Sequence, residues 1–289
     1  MEGWLPNYMG LMTGTGPLSL TAAGTWNFKP PPPGRAVYIE RIWKRVRVVL
    51  EGQVVADSTH TLLLSESGRQ PVYYFPRADV RQDLLMPSER NTEDPNKGTA
   101  SYYGAHVGDR LENDVAWCYL EPIGGATALA GYIAFYFHRM DRWFEEDQEI
   151  FEHPKDPYHR IDVYPSSRNV RVSLRGEVLA ESGRAMALFE SNLPLRWYLP
   201  PEDVRARLVP SATVTACGYK GRTNYYSVEL STGERLPDLV WCYRAPLTEG
   251  APVKNLLCFF NERVDIEVDG EPQPRPETPW SRGAKEGEA

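Results

Sequence analysis

Two short segments place a lysine, a glycine and a pair of tyrosines at a spacing suited to binding an anion. Lys97-Gly98 precedes Tyr102-Tyr103, and Lys220-Gly221 precedes Tyr225-Tyr226. A glycine in such a turn can adopt a positive φ, and the turn can then present backbone N–H groups to a negative charge. The segments predict either an anion-binding turn whose lysine points outward, or an ordinary turn at a strand start with a solvated lysine.

Each segment has a candidate partner in a glutamate that lies among apolar residues, Glu66 for the first and Glu190 for the second. A partly buried carboxylate needs a hydrogen-bonding or charged partner. We therefore expect Glu66 to pair with Lys97 and Glu190 to pair with Lys220. Such a pair can be structural, or it can belong to a catalytic site.

Aromatic residues accompany both pairs. Trp117-Cys118-Tyr119 and Trp241-Cys242-Tyr243 are joined by Tyr73-Tyr74 and Trp197-Tyr198. On a strand, the tryptophan and tyrosine of each triplet point to one face and the cysteine to the other. We expect both cysteines in the core, and the aromatic rings either in the core or around a pocket for a flat or cationic ligand. The candidate ligand-binding residues are Glu66, Tyr73, Lys97, Tyr102, Trp117 and Tyr119, with Glu190, Trp197, Lys220, Tyr225, Trp241 and Tyr243.

Cys217 is the one cysteine with a case for chemistry. It lies in a polar segment three residues before Lys220, where a nearby cation would lower the pKa of the thiol and favour nucleophilic attack. The enzymatic alternative assigns Cys217 as nucleophile, Lys220 as oxyanion stabiliser and Glu190 as proton carrier. The sequence has no histidine after His159, which weakens a Cys–His dyad. Cys258 is expected in the core.

These segments belong to an internal duplication, since Val46-Arg47-Val48 recurs as Val170-Arg171-Val172, an offset of 124 residues. Ordered matches of this kind across about 100 residues indicate two copies of one module. Alternating apolar and polar residues predict hairpins, aromatic strands that end at proline, and short helices after the prolines. We predict a mainly β protein of two tandem small β-sheet domains. The expected divisions are a Pro/Gly-rich arm over 1–35 with polyproline II at 30–33, a first repeat over 36–141, a linker over 142–168, a second repeat over 169–268 and a polar tail over 269–289.

Composition bounds the partners. The net charge is −7, which offers no general attraction to nucleic acid or anionic membrane. No apolar run is long enough for a membrane span, and four cysteines without framework spacing predict neither a disulfide scaffold nor a zinc site. We expect a cytoplasmic protein without metal or cofactor, whose partner is a small molecule and whose two repeats form an internal pseudo-dimer.

The repeated motifs resemble the bacterial family known as domain of unknown function 427, which also carries a nucleotidyltransferase-like label. The resemblance covers both copies and rests on these residues: Glu66, Tyr73-Tyr74-Phe75-Pro76, Asp79-Val80, Lys97-Gly98, Ser101-Tyr102, Trp117, Tyr119, Pro122, Ala134-Phe135-Tyr136 and Asp141 in the first copy, and Glu190, Tyr198, Pro200, Lys220-Gly221, Tyr225, Trp241, Tyr243, Pro246 and Asp265 in the second. It implies a β-tent type of fold and no established reaction.

Two departures from the family pattern concern the Cys-Pro that often precedes its Lys-Gly. The first copy reads Asp94-Pro95 and the second reads Cys217-Gly218, so only the second could use the cysteine. The chain also lacks the Gly-Ser and paired aspartates that nucleotidyl transfer with magnesium would need. Our leading hypothesis is a small-molecule binding module in each copy. The alternatives are the Cys217 enzyme, a nucleotidyltransferase-like activity, and a structural platform for interactions.

Overall fold

The computed structural model describes Leu18, Leu20 and residues 36–191 and 193–281. The polyproline prediction for 30–33 lies outside these residues, as does the last part of the predicted tail. The chain divides into two compact units between His159 and Arg160, and each unit contains one copy of the repeat. Each copy consists of a seven-stranded and a four-stranded antiparallel sheet, so the predicted mainly β fold is confirmed.

In the first copy, the larger sheet has the order β1-β4-β5-β9-β8-β7-β6 and the smaller has the order β11-β10-β2-β3. The strands are β1 Val37–Arg41, β2 Val46–Leu50, β3 Gln53–Ser58, β4 Leu62–Glu66, β5 Val72–Pro76, β6 Leu85–Asp94, β7 Gly98–Val107, β8 Arg110–Tyr119, β9 Tyr132–Phe135, β10 Arg142–Glu145 and β11 Gln148–Ile150.

The second copy repeats this arrangement, with the orders β12-β15-β16-β20-β19-β18-β17 and β14-β13-β21-β22. The strands are β12 Ile161–Pro165, β13 Val170–Leu174, β14 Glu177–Ser182, β15 Met186–Glu190, β16 Arg196–Leu199, β17 Arg207–Cys217, β18 Gly221–Glu229, β19 Arg235–Cys242, β20 Leu257–Phe259, β21 Asp265–Val268 and β22 Glu271–Gln273. β10, β11 and β12 occupy a segment that the sequence analysis assigns to the linker. They form there because inward residues such as Trp143 and Ile150 are buried in the core.

The helices of the described residues are short and of the 3₁₀ type. They span Arg77–Asp79, Gln82–Leu84, Gly124–Leu129, Phe137–Arg139, Pro201–Asp203, Thr248–Val253 and Pro279–Ser281. The short helices predicted after Pro76 and Pro200 are thus single turns. None of the helices in this part of the chain is long and apolar enough to cross a bilayer.

The space between the two sheets holds the main core of each copy. On β2, Val46, Val48 and Leu50 are fully buried while the residues between them face outward, which is the alternation expected of a half-buried strand. Cys118 lies in this core, and Cys242 lies at the same place in the second copy. The prediction that these two cysteines are small core residues is confirmed, and Cys258 is also fully buried.

The opposite side of the larger sheet, called here the outer face, carries a second apolar layer. In the first copy it contains Leu64, Tyr74, Tyr102, Trp117 and Tyr119, covered in part by Ala126 and Leu129 of the 3₁₀ helix. In the second copy it contains Leu188, Tyr198, Trp241, Tyr243 and Cys258, with Val253 of the equivalent helix. Side chains on adjacent residues of β8 therefore enter different layers.

The turn between β6 and β7 depends on Gly98. Its φ is +91°, and a Cβ placed there would lie 3.1 Å from the carbonyl oxygen of Glu121. Gly221 has φ +93°, and a Cβ placed there would lie 3.2 Å from the backbone nitrogen of Leu247. Both glycines allow the segment after β8 or β19 to pack directly on the turn. A larger residue would strain the backbone and push that segment away.

We expect Gly98→Ala to destabilise the first copy by about 2 kcal/mol, because it combines an unfavourable φ with a close carbonyl contact. Gly125→Ala is the matched control, since a Cβ there meets nothing within 4 Å. Urea unfolding of the full chain, followed by tryptophan fluorescence, measures both. Equal stability of the two variants would contradict this role for Gly98.

Candidate functional site

A buried cluster of charges lies at one end of the outer face of the first copy. Lys97 Nζ contacts Glu66 Oε2 at 2.8 Å and Asp94 Oδ2 at 2.8 Å, and only 3% of the Lys97 side chain is exposed. Arg69 approaches Glu66 at 3.4 Å from the solvent side. β4 ends at Glu66 and the β6–β7 turn carries Lys97, so the cluster joins elements that are separated in the sequence.

The predicted pairing of Glu66 with Lys97 is present, but the expectation that the lysine points outward is wrong. The turn directs Lys97 inward because Glu66 offers it a partner beneath the segment after β8. The turn also holds an anion that belongs to the protein itself. The Asp94 carboxylate accepts hydrogen bonds from the backbone N–H groups of Asn96 at 2.9 Å and Lys97 at 3.1 Å.

The pKa values around this cluster follow from burial and charge. Burial alone would raise the pKa of Asp94, but the hydrogen bonds from Lys97 and Asn96 and the charges of Lys97 and Arg69 lower it below its ordinary value. Burial raises the pKa of Tyr119, and the nearby Asp94 and Glu66 raise it further. Asp94 is thus held ionised and Tyr119 neutral, which suits a structural charge cluster near neutral pH.

The second copy keeps the lysine–glutamate pair and changes its neighbours. Lys220 Nζ donates to Glu190 Oε2, and both residues are buried. Cys217 stands at the position of Asp94, because Cys217 pairs with Gly221 across the turn as Asp94 pairs with Gly98. Burial would lower the pKa of Lys220, but the charges of Cys217, Glu190 and Tyr243 and the bond to Glu190 raise it above its ordinary value. Lys220 therefore stays protonated beside a half-buried thiol.

Aromatic rings continue the outer face of the first copy away from the charge cluster. Trp117 Nε1 donates to Tyr74 Oη at 3.0 Å, and the Trp117 ring lies 4.6 Å from that of Tyr136. The guanidinium of Arg90 lies 4.4 Å from the centre of the Tyr102 ring. Trp117 and Tyr136 are only half-buried, so their rings form part of the surface.

The same face of the second copy is covered. Arg196 lies 5.4 Å from the Trp241 ring and 5.9 Å from the Trp280 ring, and it makes two hydrogen bonds to Glu262 at 2.8 and 2.7 Å. Thr278 Oγ1 donates to the same carboxylate at 2.6 Å. The segment around Thr278 and Trp280 thus folds back over this face, and Trp241 is 7% exposed.

The structure brings most of the predicted site residues together on the two outer faces. The exceptions are Tyr73 and Trp197, which lie in the core between the sheets; Tyr73 Oη donates to Glu145 at 2.6 Å there. Strand alternation explains the difference, because each occupies the position next to the tyrosine that faces outward, Tyr74 or Tyr198. The sequence alone does not separate them, because the strand register decides which residue of β5 shares a face with Trp117: Tyr74 and Trp117 both pair with Ala134 of β9.

Sequence reasoning missed several residues of the site. Asp94 and Arg69 complete the charge cluster, yet they differ between the copies, so comparison of the repeats does not select them. Arg196 and Trp280 cover the second outer face, and nothing in the local sequence connects them. No group of histidine, cysteine or acidic residues suited to hold a metal ion occurs among the described residues.

The fold and the site together define a protein of two tandem β domains, each with a buried lysine–glutamate pair beside an aromatic outer face. The chain belongs to the family described as domain of unknown function DUF427, whose model matches residues 38–146 and 162–270. The two tandem copies inferred from the repeat are confirmed by these matches. No curated protein matches the chain.

We expect Lys97→Met to destabilise the first copy by about 3–5 kcal/mol at pH 7, because it leaves Glu66 and Asp94 buried together without their cation. The difference from the unchanged protein should shrink as the pH falls, because protonation removes the uncompensated negative charge of the variant. In the unchanged protein the folded state lowers the pKa of Asp94. This stabilises the fold at pH values above the pKa of Asp94 in the unfolded chain, and the contribution is lost as the pH falls through the lowered pKa.

Urea unfolding across pH 3–7 measures both effects. The double variant Glu66→Gln with Lys97→Met is the control, because it also removes the carboxylate and should recover part of the lost stability. A Lys97→Met variant within about 1 kcal/mol of the unchanged protein at pH 7 would show that the pair does not support the fold.

Proposed function

We propose that this protein is a small-molecule binding protein, and that a planar aromatic ligand binds on the outer face of the first copy. One observation carries the proposal: Trp117 and Tyr136 form part of the surface there, while Trp241 at the equivalent place is covered by the chain's own Arg196. A guanidinium is a flat group that stacks on aromatic rings. The covered copy thus offers an internal example of what the open face can hold.

The open face is preorganised for a flat ligand. The hydrogen bond from Trp117 Nε1 to Tyr74 fixes the indole orientation, and contact with Tyr136 restrains it further. Rings held in place lose little conformational freedom when a ligand binds, which favours affinity. Aromatic stacking pairs contribute about 0.5–1.5 kcal/mol beyond the area they bury.

The charge cluster disfavours an anion as the ligand. Lys97 Nζ already contacts two carboxylates, Glu66 and Asp94, and its side chain is almost fully buried. Its charge is therefore neutralised before any ligand arrives. In this proposal Glu66, Lys97 and Tyr119 hold the end of the face in shape, Tyr102 lies beneath Arg90, and Trp117 and Tyr136 contact the ligand.

A thermal-shift screen with uncharged bicyclic aromatics, such as indole, quinoline and neutral purines, tests the proposal. A ligand at about 100 times its Kd stabilises by about 2.7 kcal/mol, which raises the melting temperature by roughly 5–10 °C for a unit of this size. We expect Trp117→Leu to abolish the shift because it removes the ring on which the ligand stacks.

Trp43→Leu is the matched control, since Trp43 lies in the same copy, is 80% exposed and does not belong to the outer-face cluster. It should keep the full shift. If no compound in the screen shifts the melting temperature, or if Trp117→Leu keeps the shift, the proposal fails and the structural platform becomes the better description.

The position of Cys217 favours a second candidate function, nucleophilic catalysis in the second copy. The thiol stands where the first copy has the Asp94 carboxylate. That carboxylate accepts hydrogen bonds from the turn and forms an ion pair with the buried Lys97. Lys220, held protonated, would stabilise a thiolate in the same place. Glu190 remains the candidate proton carrier in this interpretation.

Iodoacetamide labelling at pH 7, with the modified residue located by mass spectrometry, tests this second function. We expect modification of Cys217 alone, since the other three cysteines are buried, at a rate above that of glutathione. Lys220→Met should slow the reaction, and Lys254→Met, which changes a lysine at the exposed end of a helix, should not. A rate equal to that of glutathione would count against catalysis by this thiol.

A further inference from the structure

A cavity of about 410 Å³ opens at the edge of the core between the two sheets of the second copy. Its lining combines leucines with arginines: Leu174, Leu236, Leu239, Arg175, Arg263, Arg275 and Asp265. Leu174 and Leu239 belong to the core between the sheets, whereas Trp241 belongs to the outer face. The cavity therefore lies on the opposite side of the larger sheet from the outer face.

Arg263 differs from its counterpart in the first copy in the partners of its guanidinium. Its counterpart is Arg139. The backbone N–H of Arg263 donates to the carbonyl oxygen of Phe260, and the backbone N–H of Arg139 donates to that of Tyr136 at the same place in the first copy. Arg139 Nη2 bonds the Glu112 carboxylate at 2.7 Å. In the second copy Leu236 occupies the place of Glu112, since both pair with the same position of the neighbouring strand.

Arg263 has lost this carboxylate partner. Its guanidinium donates to the carbonyl oxygens of Pro237 at 2.9 Å and Asp238 at 3.1 Å, and within the described chain no carboxylate oxygen lies within 4.0 Å of it. Burial lowers the pKa of Arg263, although Asp238 and Glu262 oppose the change. A half-buried cation in this state gains stability from an anion at the cavity wall.

A second substitution adds positive charge to the same cavity. The β13–β14 turn carries Arg175 at φ +53°, where the β2–β3 turn carries Glu51 at φ +48°. Arg175 pairs with Glu234 and Arg275 pairs with Asp265, but both arginines are exposed on one side and keep donors for a further acceptor. The cavity has an excess of positive charge, whereas in the first copy Arg139 pairs with Glu112 and Asp141 pairs with Arg110.

We propose that the second copy binds a small organic anion in this cavity, with its charged group on Arg263 and Arg175 and its apolar body on Leu236, the half-buried leucine of the lining. The volume falls within the range of small-molecule sites. Apolar and cationic groups that meet in one concave site select a molecule with both characters. A bare inorganic anion would leave Leu236 uncovered, and an uncharged molecule would leave Arg263 without an anionic partner.

Fluorescence titration with anilinonaphthalene sulfonate tests the proposal, because this dye carries one negative charge on an apolar body. Phenylnaphthylamine, which has the same rings without the sulfonate, is the matched probe and should bind at least about tenfold more weakly. Arg175→Glu and Leu236→Glu each introduce the first copy's residue and should each raise the Kd of the sulfonate by about tenfold or more.

Arg175→Glu changes an exposed side chain, so it tests the cavity even if Leu236→Glu impairs folding. Arg184→Met is the control, since Arg184 lies in the same copy and pairs with Glu202 and Asp203 away from the cavity. The proposal is overturned if both Arg175→Glu and Arg263→Met bind the sulfonate dye with a Kd within twofold of that of the unchanged protein. It is also overturned if the unchanged protein binds the uncharged probe as tightly as the dye. Loss of the dye signal in Trp117→Leu alone would overturn it as well, because that result would place the dye on the first copy's outer face.

Discussion

The buried pair of Lys97 and Glu66, repeated as Lys220 and Glu190, is the interaction on which each copy depends. Both charges leave water when the chain folds, and their mutual contact offsets part of that cost, with Asp94 and Arg69 contributing in the first copy. The pair links the end of β4 to the β6–β7 turn, and the turn in turn accepts a backbone hydrogen bond from Ile123. The pair thus fixes the end of the outer face beside which the covering 3₁₀ helix begins after Ile123.

Much of this arrangement could be predicted from the sequence, because duplication reveals which residues recur together. The strands, the lysine–glutamate pairing and the burial of Cys118 follow from alternation and repeat matching. The Lys-Gly turn alone does not specify the inward direction of Lys97, since that direction depends on Glu66, thirty-one positions away in the chain. The sequence predicts a linker over 142–168 because this segment is charged and contains prolines, and single buried residues such as Trp143 do not stand out among the charged ones.

The two copies keep one fold and differ in where they expose binding surface. The first pairs the charges near Glu112 and leaves Trp117 at the surface. The second covers Trp241 and loses the carboxylate beside Arg263, which leaves a cavity on the other side of its larger sheet. Duplication permits such divergence, because each copy retains its own core while the other changes.

The segment around Thr278 and Trp280, which lies over Arg196 where Arg196 stacks on Trp241, has a consequence for competition. Because Arg196, Glu262 and Thr278 hold it within one chain, it acts as a tethered occupant whose effective concentration is set by a short connection from β22. Short connections of this kind correspond to millimolar effective concentrations. A free molecule that stacks on Trp241 must displace Arg196 together with this tethered segment, so the second face would respond only to abundant or tightly bound competitors.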